Sequence, residues 1–114
     1  MTYKLDSNEV YEIAKHITYS HHAKVRLAQR LNIQNDHARQ GELFTLILNS
    51  PLAYMNTDGC INIAINEYEY LVVAPREQDY FCITFKEKSR NGHTVLDKYK
   101  LALKGVLRWT NYKK

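Results

Sequence analysis

Two periodicities divide the chain. Up to residue 50, apolar residues recur every three or four positions; from Leu52 they alternate; after Thr94 the helical spacing returns. In "NEVYEIAKHI", Val10, Ile13, Ala14 and Ile17 share one helical face, and Asp6 with Glu9 three residues later forms a capping-box pattern. "TYS" interrupts the pattern, and Ser20 is a natural N-cap for a second helix over about residues 21 to 32. "NDHARQGELFTLILNS" reads as a third helix, weakened near Gly41 and stopped at Asn49-Ser50 because Pro51 disfavours helix in the residue before it.

The alternating region predicts four strands joined by short turns. "LAYMN", "CINIAI", "YEYLVVA" and "DYFCITFKE" are separated by "TDG", "NE" and "PREQ". In the last of these, Phe81, Ile83 and Phe85 fall on one side, with Tyr80, Cys82, Thr84 and Lys86 on the other. Ile61, Ile63 and Ile65 likewise oppose Asn62, Ala64 and Asn66. One sheet face is thus expected to take the helices, and the mixed face to meet ligand or water. After the loop "KSRNG" a final helix starts near Thr94, which forms a second capping box with Asp97. Val95, Tyr99, Ala102, Val106 and Trp109 make its apolar stripe. The expected plan is α+β: N-terminal helices, a four-stranded antiparallel meander and a C-terminal helix, in a single domain over residues 1–114.

Composition narrows the classes. The chain has no apolar run approaching the roughly 18 residues of a membrane span, so no membrane partner is expected. "MTYKLDSNEVYEI" lacks a signal-peptide core, and two widely spaced cysteines, Cys60 and Cys82, fit reduced thiols of a cytoplasmic protein. Net charge is +4, and the excess is concentrated late, from Lys86, Lys88 and Arg90 through Lys98, Lys100, Lys104, Arg108, Lys113 and Lys114. Such a distribution suits a polyanionic partner without requiring one. No metal-ligand spacing surrounds His16, His37 or His93, and no P-loop, dinucleotide fingerprint or G-x-S-x-G occurs, so no cofactor is expected. Glu67, Glu69, Asp79 and Glu87 are too scattered to suggest a glycosidase pair.

The second helix carries the candidate chemistry. At about 100° per residue, with His22 at the origin, Arg26 falls near 40° and Arg30 near 80°. Val25, Leu27, Ala28 and Leu31 lie between roughly 140° and 300°, opposite that stripe, with Lys24 interrupting the apolar arc and His21 leaning toward the core side. The stripe of His22, Arg26 and Arg30 is either a solvated face or an anion site. In the second case two guanidinium forks hold a phosphate while an imidazole moves a proton.

"HAKVRLAQRLNI" resembles the H-A-x-x-R-x-x-x-R-G-I pattern of an uncharacterised prokaryotic and phage family, grouped with the RelE/barnase/colicin-like metal-independent ribonucleases. The resemblance runs over roughly residues 17 to 86, through a helix ending in "NSP", a strand meander and a late threonine-bearing strand, "CITF". It implies a RelE/barnase-like fold and a toxin-like endoribonuclease acting on RNA. It gives His22 the acid/base role, Arg26, Arg30 and Lys86 the stabilisation of the phosphorane, and Thr84 a hydrogen bond to phosphate. One departure bears on the helix end: Arg-Gly-Ile becomes Arg30-Leu31-Asn32-Ile33, one residue longer and without glycine.

Around this site, "FKEKSRNGHT" places Lys88, Arg90 and His93 as a basic arm for a nucleic-acid backbone, with His93 in reserve for a second proton transfer. Among nine tyrosines, Tyr68, Tyr70 and Tyr80 are stacking candidates, although packing in sheet or core explains most tyrosines. No glutamate is placed as general base by spacing alone. The alternative reading is a catalytically silent phage or mobile-element module that uses the same basic face to inhibit a host nucleic-acid machine such as a defence nuclease. A protein partner, an antitoxin or a host nuclease, is a further expectation; a third reading, an antitoxin or immunity partner, is less favoured because inhibitors of basic nucleases tend to be acidic.

Overall fold

A computed structural model describes residues 2–87 and 92–104. The sheet has six strands, two more than the alternation predicts. In chain order the elements are β1 (Tyr3–Lys4), α1 (Ser7–His16), β2 (Ile17–Tyr19), α2 (His21–Leu31), α3 (Asp36–Ala38), a π turn (Arg39–Leu43) and α4 (Phe44–Leu48). β3 (Ala53–Met55), β4 (Ile61–Ala64), β5 (Tyr70–Pro75), β6 (Tyr80–Lys86) and α5 (Val95–Leu103) follow. The spatial order is β1-β3-β4-β5-β6-β2. The predicted four-strand meander forms the centre; β1 joins β3 antiparallel, and β2 joins β6 parallel. No helix of the described residues is long and apolar enough to cross a membrane.

The extra strands are too short for alternation to reveal them. Ile17, expected on the face of the first helix, and Thr18-Tyr19, expected only to interrupt the helices, form β2. Two β-branched residues and a tyrosine instead extend the chain along Tyr80-Phe81-Cys82. Burial pushes the Tyr19 hydroxyl well above the ordinary tyrosine range, with Cys82 adding to the effect and Arg39 opposing it. Both capping boxes form as the sequence predicts, at Asp6/Glu9 and Thr94/Asp97. The weak point at Gly41 is a π turn inside a continuous helical run, flanked by buried Arg39 and Leu43.

Helices cover both faces of the sheet, which corrects the expectation of one covered and one open face. On the first face Ile13, Ala14, Ala23, Leu27, Leu43 and Ile47 meet Ile61, Ile63, Leu71, Val73, Cys82 and Phe85. On the second, Val95 and Ala102 of α5 close over Leu52, Tyr54, Ala64 and Tyr70. All four residues of β4 are therefore buried, polar Asn62 included. Asn62 hydrogen-bonds the buried Tyr54 hydroxyl, whose pKa burial raises to about 12. Tyr54 packs on Tyr99 with ring centroids 4.9 Å apart, and Tyr70 accepts from Lys98 Nζ at 3.0 Å. Tyr54 and Tyr70 are core material, so Tyr70 offers no stacking surface, and Tyr99 is half-buried against them. Val106 and Trp109, the continuation of the helix stripe, lie outside the described residues.

The second correction is a β-bulge. Val72 pairs with Thr84 but Val73 pairs with Cys82, so Ile83 has no cross-strand partner. Beyond that residue the side chains change face. Cys82 and Phe85 enter the same core, while Ile83, expected inside, is 40% exposed. Burial raises the Cys82 thiol to about 12, an unreactive value.

At the far end of β6, Arg76 grips Asp79 through Nε and Nη2, both at 2.6 Å, and Thr18 of β2 donates to the same carboxylate at 2.7 Å. The Arg76 hydrogen bonds, then that of Thr18, hold the Asp79 carboxyl at about 2.

Two outcomes follow from this packing. In chemical denaturation, Phe85→Ala should cost about 3–5 kcal/mol, against well under about 1.5 kcal/mol for Ile83→Ala, with Ser20→Ala between them at about 1–2 kcal/mol. Equal losses at Ile83 and Phe85 would contradict the bulge. Because Asp79 has a lower pKa folded than unfolded, its contribution is present above the ordinary aspartate range near pH 4 and fades as pH falls toward 2. Asp79→Asn should therefore lose less stability than wild type over that acid interval; parallel acid-denaturation curves would remove this role.

Candidate functional site

Ser20 sets the position of the site. Its backbone N–H donates to Cys82 O at 2.9 Å, its Oγ–H donates to Ile83 O at 2.6 Å, and Oγ accepts from Ala23 N–H at 3.0 Å. A single residue thus caps α2 and fastens that cap to the bulge of β6. His22, two residues on, is consequently held beside the second half of β6.

From there α2 lies on the sheet through Ala23 and Leu27, both fully buried. Helical geometry puts those residues about 100° and 140° from His22, so the core direction flanks the His22–Arg26–Arg30 stripe and does not oppose it. Val25 is consequently 38% exposed, and His21, expected to lean inward, is exposed. The glycine-free helix end is capped by Asn32 in the left-handed region (φ 58°, ψ 30°), whose N–H bonds to Leu27 O. Asparagine tolerates this conformation through its short polar side chain. Arg30 remains on the last turn of the helix.

His22 and Arg26 then face Ile83, Thr84, Phe85, Lys86 and Glu87 across an open cavity of about 480 Å³. Four of the five residues assigned acid/base or phosphate-stabilising roles, from positions as far apart as 22 and 86, line this one space. The fifth, Arg30, reaches its rim by way of Glu87: one carboxylate oxygen, Oε1, is hydrogen-bonded by Arg30 Nη2 and lies 3.6 Å from Arg26 Nη1. The side chains of Arg26, Arg30 and Glu87 are 36%, 41% and 39% exposed. Pairs so open to water contribute at most about 1 kcal/mol each, so they hold the arginines without locking them.

Glu87 is the residue sequence spacing misses. It stands 57 positions from Arg30, and nothing local marks it among the scattered carboxylates. The bulge and the Ser20 contacts bring it there. Cation, imidazole, hydroxyl and carboxylate therefore share one solvent-open cavity. That set can hold a phosphate and move protons beside it.

Other candidates go elsewhere. Tyr80 occupies the opposite end of β6, opposite Ile17, and lines a separate cavity with Ile13 and Met55, not the His22 cavity. His93 precedes α5, where its charge helps lower the Asp97 carboxyl behind the hydrogen bonds from Thr94, and it does not line the His22 cavity. Lys88 and Arg90 lie outside the described residues. Among the described residues, no three His, Cys, Asp or Glu side chains are grouped to hold a metal ion. Comparison with protein-family models, with curated proteins and with solved structures returns no match to this chain.

Proposed function

We propose that the chain binds RNA and cleaves it as a metal-independent, toxin-like endoribonuclease. The supporting observation is the convergence of His22, Arg26, Thr84 and Lys86 on one open cavity with Glu87. The helical stripe and the family resemblance both point to these residues as acid/base and phosphate-holding groups.

In this reaction a base removes the ribose 2′-OH proton, the oxygen attacks the adjacent phosphorus, and an acid protonates the departing 5′-oxygen. The products are a 2′,3′-cyclic phosphate and a free 5′-hydroxyl. Two proton-transfer groups are required, and the cavity offers an imidazole, His22, and a carboxylate, Glu87. In this mechanism Arg26 and Lys86, which line the cavity, stabilise the charge that accumulates on the phosphorane, Arg30 contributes through its tie to Glu87, and the Thr84 hydroxyl supplies a neutral donor. Binding rests mainly on phosphate contacts by these cations and is accordingly sensitive to salt.

The test is incubation of purified protein with labelled RNA in EDTA, followed by analysis of the ends for 2′,3′-cyclic phosphate. His22→Ala and Arg26→Ala should each reduce cleavage about 10²–10⁴-fold, with melting temperature nearly unchanged because exposed substitutions typically cost only about 0.5 kcal/mol. His21→Ala, an exposed neighbour, should keep full activity. Absence of cleavage, with affinity lost in Arg26→Ala and Arg30→Ala but kept in His22→Ala, would establish the silent binding module instead.

A further inference from the structure

The arginines of the site already hold an anion. Arg26 and Arg30 converge on one oxygen of Glu87, at the cavity that Lys86, Thr84 and His22 also line. Carboxylate and phosphate oxygens are both anionic acceptors for guanidinium N–H groups, so an oxygen shared by Arg26 and Arg30 marks a position a phosphate oxygen can take. Arg26 and Glu87 both line the cavity, so the carboxylate and an entering phosphate compete for the same donors.

We propose that Glu87 is a built-in competitor for phosphate, occupying the Arg26–Arg30 anion subsite in the free protein and leaving it when an RNA phosphodiester enters. This rests on the RNA reading above and adds a specificity-determining residue to it. Three features carry the argument. The pairs are about one-third to two-fifths exposed, so they exchange with solvent ions at little cost. Both arginines use the same carboxylate oxygen, so a single displacement frees both. A phosphodiester presents two non-bridging oxygens where Glu87 commits one, and it restores a partner to each arginine.

Exchange has an electrostatic consequence. Entry of the phosphodiester adds one negative charge beside Glu87, and among the described residues Lys86 and His22 are the other groups of the cavity able to offset it. Neutral ligands compete less well for the guanidiniums than a phosphodiester does, because they offer no counter-charge. The subsite thereby selects against uncharged hydrogen-bonding molecules and for a phosphate backbone.

The deciding measurement is the dissociation constant of a short 2′-O-methyl RNA, which cannot be cleaved, for wild type, Glu87→Gln, Glu87→Ala and Arg26→Ala at low and moderate salt. Both Glu87 variants should bind about three- to tenfold more tightly than wild type, whereas Arg26→Ala should bind more weakly. Tightened binding with impaired cleavage of ordinary RNA in Glu87→Gln would mark the residue as both competitor and participant. If wild type binds and cleaves but the Glu87 variants bind equally or more weakly, Glu87 is only a tie between β6 and α2, and the inference fails while the ribonuclease reading stands. If neither wild type nor the variants bind RNA, both fail. Should the variants not fold, wild type decides: the Glu87 carboxyl-carbon and Arg26 and Arg30 guanidinium resonances should shift together on titration with the same RNA. A Glu87 resonance that stays fixed while the arginines move would overturn the exchange.

Discussion

The site depends on how one serine is shared between a helix and a strand. Ser20 spends its backbone N–H and its hydroxyl proton on the two carbonyls before and at the bulge of β6, and its hydroxyl oxygen on the first turn of α2. A bulge leaves backbone groups outside the ladder, and the Ile83 carbonyl is one that needs a partner from elsewhere. Ser20 supplies it. The bulge and the helix start therefore stabilise each other, and everything that α2 carries toward β6 is placed by that junction.

The bulge has a second effect. By adding one residue to β6 it moves Cys82 and Phe85 into one core and turns Ile83 out, so the strand passes from a packed half to a half that faces α2 across open space. β2 pairs only with Tyr80, Phe81 and Cys82 and gives way to α2 immediately afterward. The cavity occupies the place beyond that short pairing. A longer β2 would have covered the Thr84–Glu87 edge with backbone hydrogen bonds, and a regular β6 would have reversed the faces of its second half.

Electrostatics reads differently once tertiary contacts are included. By spacing, Arg26 and Arg30 are two free cations on a solvated stripe. In the fold they share Glu87, which lowers the local positive charge without burying it. The pairing shows where an anion sits most favourably and at the same time occupies that position.

Local chemistry was legible because it acts over three or four residues. The capping boxes at Asp6/Glu9 and Thr94/Asp97, the Ser20 N-cap, the weak point at Gly41 and the four central strands all follow from contacts within a turn or from strand alternation. The helical spacing of His22 and Arg26 and the strand positions of Thr84 and Lys86 could be read from the chain, but not Glu87, whose partners are 57 and more positions away. Sequence alone also failed at β1 and β2, since two or three residues carry no period, and at Ile83, since an alternating pattern looks the same with or without an inserted bulge. α5 falls on the second face of the sheet because Tyr54, Ala64 and Tyr70 make that face apolar enough to bury, a sum over three strands that no single strand displays. Local pattern marked the helices and the four central strands and showed which of them carry cations; pairing, register and docking decided which side chains meet, because those depend on contacts between residues the chain keeps far apart.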